Sequence, residues 1–341
     1  MQAQILLTLA GGSLKSLVDS GELALEDIPA FAMREFDLRG LNMPASMFAG
    51  CSLDVFDRLR DKADKAGCPV LTLIEESPLR FSDASPGDLN KTFDRVTRLA
   101  TAANRLGCNA LAISCEAPKD TDEVFERMGM SIKKVIQRIE NFDLNLLIAP
   151  TDGLTSDPDR LTALIKKVGG FKIGSFPRFD HAEKTPDASD TMRKLAPYAG
   201  GMEAVVTSGK GGIAQVAAYE AIESVLNVGY QNTLAIRFAG KGDPIEMIRS
   251  GRRQIAEALG QVEVDEELEE MLQALEAEAI SEAAQNGGKA AEESKPQAGA
   301  ELDPLARALS EALGADDTAG DTADDTADDT KEPIDESKDD D

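Results

Sequence analysis

Short runs of consecutive apolar residues alternate along this chain with longer segments in which apolar residues recur every three or four positions. The runs are typical of strands buried on both faces, and the helical spacing is typical of amphipathic helices that cover them. In the clearest unit, residues 144–148 form a strand, Pro158 opens a helix, Gly169 and Gly170 end it, and residues 171–176 form the next strand. This order predicts two parallel strands joined by a right-handed crossover.

The same unit recurs over about 260 residues, the usual size of a (β/α)8 TIM barrel. The predicted strands are residues 5–9, 37–42, 69–74, 110–114, 144–148, 171–176, 203–207 and 233–238, and predicted helices include residues 25–36, 52–66, 88–106, 121–141, 213–227 and 244–259. No GxGxxG motif opens a helix after the first strand, which argues against a dinucleotide-binding fold. We therefore predict an α/β protein, a (β/α)8 barrel with its functional site at the C-terminal strand ends.

Charge divides the chain into two parts. The net charge is −26, of which residues 263–341 contribute −22 through 27 acidic and 5 basic residues, and residues 1–262 only −4. We predict a barrel over residues 1–262, followed by an acidic amphipathic helix over residues 263–284. Residues 285–341 are predicted to be an acidic, low-complexity and largely disordered tail with a short helix near residues 302–313.

Composition excludes several classes of function. No basic patch dominates the nearly neutral body, so we expect no nucleic-acid partner. No stretch approaches the roughly 20 apolar residues of a membrane helix, and the apolar residues 5–10 are too short, and lack a basic flank, for a signal peptide. The 4 cysteines show no CxxC spacing and the chain has 1 histidine, which argues against a zinc site. We predict a cytoplasmic protein.

Two segments near the middle of the chain carry a resemblance. Residues 148–150 read Ile-Ala-Pro after the fifth strand, and residues 177–180 read Pro-Arg-Phe-Asp after the sixth. This frame is similar to the Ile-Glu-Pro and Pro-Asp-Phe-Gly motifs of the xylose-isomerase-like TIM barrels, the sugar-phosphate isomerases and epimerases related to endonuclease IV. The resemblance covers roughly residues 1–260. It implies the same barrel, and a divalent metal that polarises the oxygens of a sugar.

The residues that the resemblance implies as metal ligands are replaced. Ala149 and Arg178 stand where the family carries a Glu and an Asp, and Arg237 stands where it carries a second Glu, within a segment (residues 229–240) similar to the family's eighth-strand motif. Residues 206–210 of the seventh strand lack the family's histidine. Fixed positive charges repel a divalent cation, and arginine does not discharge itself. We therefore expect no divalent metal, no cofactor and a pseudoenzyme.

The favoured function is a non-catalytic relative that binds an anion or a sugar phosphate, or that acts as a scaffold. Arg178, Arg237 and Lys210 would then form a cationic pocket, and Asn42 stands at a family-like position of the second strand. A purely structural alternative is that both arginines pair with neighbouring aspartates, Asp180 or Asp152.

Two other functions stay open. An active sugar isomerase or epimerase would use relocated groups, namely Glu75, Glu116, Asp152 and His181, although a solvated loop charge is the more common role for residues of this kind. An interaction protein would instead bind a protein partner through its acidic tail, with the barrel as a platform. The glycine-rich residues 209–212 precede a predicted helix, where they could accept an anion.

Overall fold

The structure, a computed structural model, describes residues 5–81, 85–117 and 119–261. Nine strands and ten α-helices alternate along the described chain. The strands are β1 (Leu6–Ala10), β2 (Leu41–Pro44), β3 (Val70–Arg80), β4 (Ala110–Glu116), β5 (Asn145–Ala149), β6 (Ile173–Ser175), β7 (Met202–Ser208), β8 (Ala214–Val216) and β9 (Thr233–Phe238). The helices are α1 (Lys15–Asp19), α2 (Ile28–Phe36), α3 (Leu53–Ala66), α4 (Pro86–Leu106), α5 (Asp122–Arg138), α6 (Pro158–Val168), α7 (Phe179–Ala182), α8 (Ala188–Leu195), α9 (Ile222–Asn227) and α10 (Pro244–Ala258).

The strands curl into a closed ring. Their order is β6-β5-β4-β3-β2-β1-β9-β7, all parallel, with β8 antiparallel to the outer edge of β7. Between β6 and β7 the ring is joined by the Glu203 N–H, which donates to the Pro177 carbonyl at 3.1 Å, and by the Gly200 N–H, which donates to the Ser175 carbonyl at 3.1 Å. The predicted (β/α)8 barrel is confirmed, and its mouth is the end at which the strands have their C-termini.

Each strand divides its side chains between two apolar regions, because successive residues point to opposite faces. In β5, Leu146 and Ile148 pack in the large core between strands and helices. Leu147 and Ala149 instead pack inside the barrel, in a small cluster that also contains Ala110, Ala112 and Phe176. Three of these five interior residues are alanines, which leaves room for polar groups from other strands.

Helix α6 shows how local sequence places these elements. The Asp157 side chain accepts from the N–H groups of Asp159 at 2.8 Å and Arg160 at 3.4 Å, and Pro158 occupies the first turn, where no donor is needed. Gly169, with φ of 70°, ends the helix. Its bounds agree with the sequence prediction.

The predicted helix over residues 213–227 is wrong. Its first part is the strand β8, in which Gln215 pairs with Thr207 of β7, and only Ile222–Asn227 is α-helical. Gly211 and Gly212, with φ of 75° and 80°, turn the chain back as a hairpin. The glycine-rich residues are therefore followed by β8 and not by the helix N-terminus on which the predicted anion site depended.

Two further strand bounds differ from prediction. β2 begins at Leu41 and not at residue 37, because Asp37 has a left-handed φ of 48° and caps α2. β3 continues past residue 74 to Arg80. Within the described part of the chain, no helix is long and apolar enough to cross a membrane. The predictions for residues 263–341 lie outside the described residues.

Candidate functional site

Four charged side chains meet inside the barrel near its mouth, and we call Arg178, Asp180, Glu203 and Arg237 the mouth cluster. Arg178 binds Asp180 through two hydrogen bonds, from Nε to Oδ1 at 3.0 Å and from Nη2 to Oδ2 at 2.5 Å. Its Nε also lies 3.8 Å from Oε1 of Glu203. This bidentate geometry is the strong form of an arginine–carboxylate contact.

Arg237 contacts the same two carboxylates from the other side. Its Nη2 lies 3.5 Å from Oδ2 of Asp180, and its Nε lies 2.8 Å from Oε1 of Glu203. The Nε–H of Arg237 is buried and makes no hydrogen bond within the described chain, because it does not point at that oxygen. Charge attraction therefore holds Arg237 more than aligned hydrogen bonds do.

Strand alternation brings these residues together. In β9, Leu234 and Ile236 face the outer core, so Arg237 points into the barrel. Glu203 lies in β7, which pairs with β9, and a bridge joins it to Arg178 just after β6. Asp180 lies in the first turn of the short helix α7, which Arg178 precedes.

Burial and charge act differently on the two carboxylates. Burial raises the pKa of Glu203, whose side chain is 5% exposed, and the guanidiniums of Arg237 and Arg178 only oppose this shift. Burial alone would also raise the pKa of Asp180, but hydrogen bonds and charge from Arg178 outweigh it, so this pKa is lowered. The ionised form is therefore favoured at Asp180 more than at Glu203.

A third carboxylate, Glu76, acts on the mouth cluster. Its negative charge favours a higher pKa at both Arg178 and Glu203. Its carboxylate also accepts a hydrogen bond from Oγ of Ser46 at 2.6 Å. With Glu76 included, three carboxylates interact with two guanidiniums and with the charge of Lys184, which acts on Asp180. Sequence reasoning missed both glutamates, although Glu76 follows the inward-facing Ile74 by two residues, which is the strand period.

Glu75 and Glu116 belong to separate ion pairs. Glu75 points outward to α4, where it accepts from Nε of Arg95 at 2.7 Å. Glu116 pairs with Nε of Arg80 at 2.9 Å. The structure therefore does not assemble the four relocated groups predicted for an active isomerase, because Glu75 is turned away from the barrel interior.

His181 lies close enough to Arg178 and Asp180 of the mouth cluster, and to Asp152, to interact electrostatically with them. Burial lowers the pKa of His181, Lys184 and Arg178 lower it further, and Asp152 and Asp180 oppose the shift. His181 is therefore held in its neutral form near neutral pH. Lys210, predicted for a cationic pocket, is exposed in the hairpin turn after β7.

Asn42 is fully buried on the inner face of β2, between the outward-facing Leu41 and Met43. Neither its Oδ1 nor its Nδ2 has a hydrogen-bond partner among residues 5–81, 85–117 and 119–261. Thr8 of β1 is also fully buried, and its Oγ1 is likewise unpaired. Such groups are costly unless something else satisfies them.

The side chains at the three resembled metal-ligand positions offer no acceptor to a divalent cation. At the three resembled ligand positions, Ala149 offers a methyl group, and Arg178 and Arg237 offer donors and no acceptors. The nearby carboxylates of Asp180 and Glu203 already face guanidiniums. Among the described residues, no three His, Cys, Asp or Glu side chains are grouped so as to hold a metal ion.

The fold matches known proteins in structure and not in sequence. No protein-family model and no curated protein matches the chain. It is similar to the apo 3-keto-D-glucoside 4-epimerase YcjR of E. coli, with a TM-score of 0.57 and 11% identity over 75% of this chain and 99% of that one. It is also similar to a D-psicose 3-epimerase solved in the presence of D-fructose, with a TM-score of 0.58 and 12% identity over 69% and 93%.

A third similar structure is a xylose-isomerase-like TIM barrel of Mycobacterium smegmatis in complex with magnesium, with a TM-score of 0.51 and 15% identity over 69% of this chain and 87% of that one. The structural neighbours are thus sugar epimerase- and isomerase-like TIM barrels. The fold expected from the resemblance is confirmed.

Proposed function

We propose that this chain is a metal-independent, non-catalytic relative of the sugar isomerase- and epimerase-like barrels, and that it binds a small sugar at the mouth. The mouth cluster carries the proposal. Its two arginines stand at the resembled metal-ligand positions and are matched by the carboxylates of Asp180 and Glu203. A protein that kept a metal would not place guanidiniums there.

The charge balance favours a neutral sugar over the phosphate or carboxylate expected from the sequence. Three carboxylates, from Asp180, Glu203 and Glu76, are matched by the guanidiniums of Arg178 and Arg237 and by the charge of Lys184 on Asp180. The mouth therefore carries no excess positive charge. Guanidinium donors next to carboxylate acceptors suit hydroxyl groups, since each hydroxyl both donates and accepts a hydrogen bond. D-fructose is present with one structural neighbour, and a 3-keto-D-glucoside is the substrate named for another.

The side chains of the cluster are within reach of a ligand. Those of Arg178, Arg237 and Asp180 are 35%, 27% and 22% exposed, while Glu203 lies beneath them. A sugar that approaches the mouth would meet the first three and would be held by a rigid, partly buried set of donors and acceptors.

Titration calorimetry of the full-length protein with D-fructose, D-psicose, a 3-keto-D-glucoside and D-fructose 6-phosphate tests the proposal. We expect a neutral sugar to bind better than the phosphate, with an affinity that a chelator does not change. Arg178→Gln should weaken binding. Arg105→Gln removes a similar bidentate pair with Asp57 on the outer helices, at 3.0 and 3.1 Å, and should leave binding unchanged.

Three results contradict the proposal. They are a stoichiometric requirement for a divalent metal, interconversion of the sugars by the purified protein, and failure of all four probes to bind.

A further inference from the structure

Three buried polar groups without hydrogen-bond partners lie around one alanine inside the barrel. Within the described chain these are Oγ1 of Thr8, the amide of Asn42 and Nε of Arg237. They come from three adjacent strands, β1, β2 and β9. Unpaired buried groups are rare, so their convergence calls for a physical reason.

Strand register places all three around Ala10. Ala10 pairs directly with Asn42 of β2. On the other side, Leu9 pairs with Ile236, which brings Arg237 level with Ala10. Strands lie about 4.8 Å apart, so the backbones of Asn42 and Arg237 are about 10 Å apart with only a methyl group between them. Thr8 lies two residues before Ala10 on the same inner face, about 7 Å along the strand.

The chemistry of these groups defines what they can bind. The Asn42 amide offers one acceptor and two N–H donors. The Thr8 hydroxyl can both donate and accept a hydrogen bond, and Nε of Arg237 can only donate. The Thr8 and Asn42 side chains are uncharged, which matches neighbouring hydroxyl groups better than an ion.

We propose that Thr8, Asn42 and Nε of Arg237 form a subsite that binds two adjacent hydroxyl groups of a neutral sugar. The subsite lies on the inner faces of β1, β2 and β9. This inference rests on the proposed function and extends it, because it assigns Thr8 a binding role and commits to a vicinal diol as the recognised group.

Access to the subsite requires Arg237 to move. Thr8 and Asn42 have no exposed surface, whereas the Arg237 side chain is 27% exposed. Its Nε lies 2.8 Å from Oε1 of Glu203 without forming an aligned hydrogen bond, and its contact with Asp180 is long, at 3.5 Å. The ligand therefore exchanges a poorly aligned ion pair for aligned hydrogen bonds.

Thr8→Val and Asn42→Leu test the subsite, because each removes polar atoms and nearly preserves shape. In the full-length protein, each should weaken binding of the neutral sugar by at least about tenfold, as expected when hydrogen bonds to a ligand are lost. Each should leave the melting temperature unchanged or raised, since the removed groups have no partner in the protein. Thr8→Ser keeps the hydroxyl and should keep the affinity.

Ser175→Ala is the matched control. Ser175 is also fully buried on a barrel strand, but its Oγ donates to the Leu195 carbonyl at 3.1 Å. Loss of this hydroxyl should lower the melting temperature and leave the affinity for the neutral sugar unchanged.

The outcomes separate this inference from the function on which it rests. Wild-type affinity in both Thr8→Val and Asn42→Leu, with the parent protein binding sugar, overturns the subsite alone. A parent protein that binds none of the four probes overturns the proposed function and the subsite together. If Asn42→Leu does not fold, Thr8→Val decides by the same criterion.

Discussion

Arg237 and Glu203 stand on neighbouring strands, and Nε of the arginine lies 2.8 Å from Oε1 of the glutamate inside the barrel. The glutamate side chain is 5% exposed, so this contact lies in a region of low dielectric. A buried pair of this kind gains Coulomb energy and loses hydration, and the balance depends on geometry. The raised pKa of Glu203 shows that the cost of burial is the larger effect on its carboxyl.

Asp180→Asn should lower the free energy of unfolding by about 1 kcal/mol at pH 7, because both arginines lose a partner, discounted for their partial exposure. The pKa of Asp180 is lowered, so its contribution is present above the ordinary value of 3.8 and is lost as pH falls through the folded pKa. Urea unfolding between pH 7 and pH 3 measures this.

The difference between Asp180→Asn and the parent should therefore shrink towards pH 3. Asp57→Asn, which removes the outer partner of Arg105, should cost no more than about 0.5 kcal/mol. A difference for Asp180→Asn that does not change with pH would contradict the prediction.

Glu203→Gln should cost less stability at pH 7 than Asp180→Asn, although Glu203 is the more buried residue. Its pKa is raised, so the folded state binds the proton more readily, and its contribution declines as pH rises from 4.5 through the folded pKa. Unfolding of the variant and the parent across this range checks the sign. The parent should lose stability relative to the variant as pH rises, and the opposite trend would refute the prediction.

Gly251→Ala should destabilise the barrel by about 1–3 kcal/mol through overpacking. A methyl group on Gly251 of α10 would lie 2.4 Å from Cγ2 of Val206 in β7. Gly129 of α5 is also buried, but a methyl group there would meet only ordinary contacts, the nearest at 3.4 Å from Lys167. Gly129→Ala should thus stabilise by roughly 0.5–1 kcal/mol. Thermal unfolding that ranks the two variants equally would show that α10 shifts freely.

Divalent metals should not bind tightly to the barrel. The residues that would hold them are Ala149, Arg178 and Arg237, which offer no acceptor. Elemental analysis of protein purified without chelator, with thermal shifts in Mn²⁺, Mg²⁺, Co²⁺ and Zn²⁺, measures this. Near-stoichiometric metal or a large shift specific to one metal would refute the prediction.

A chain that ends at Gln261 should unfold cooperatively, with a melting temperature close to that of the full chain. Gln261, the last of the described residues, is tied to the barrel, since its Nε2 donates to the Ile5 carbonyl at 3.0 Å and its N–H to the Ala256 carbonyl at 2.8 Å. Calorimetry of both chains checks it. Aggregation of the shorter chain would place part of residues 263–341 in the core.

The fold was predictable because strand and helix signals are local. Apolar runs, capping residues such as Asp157 and glycines such as Gly169 act within a few residues of the chain. The error at residues 213–227 arose because the hairpin depends on pairing of Gln215 with Thr207, a partner that helical periodicity does not report.

The candidate site, like the fold, was predictable from the sequence only in part. Sequence by itself determined the residues of this chain, and only its resemblance to the family puts Arg178 and Arg237 at positions that carry carboxylates there. Pairing of both arginines with Asp180 was one alternative that the sequence offered, and the structure shows it. Only the tertiary structure decided that Glu203 also lies between them, because these residues come from elements that meet when the barrel closes. Strand register likewise decides that Thr8 and Asn42 face one interior, since a shift of one residue would turn either side chain to the opposite face.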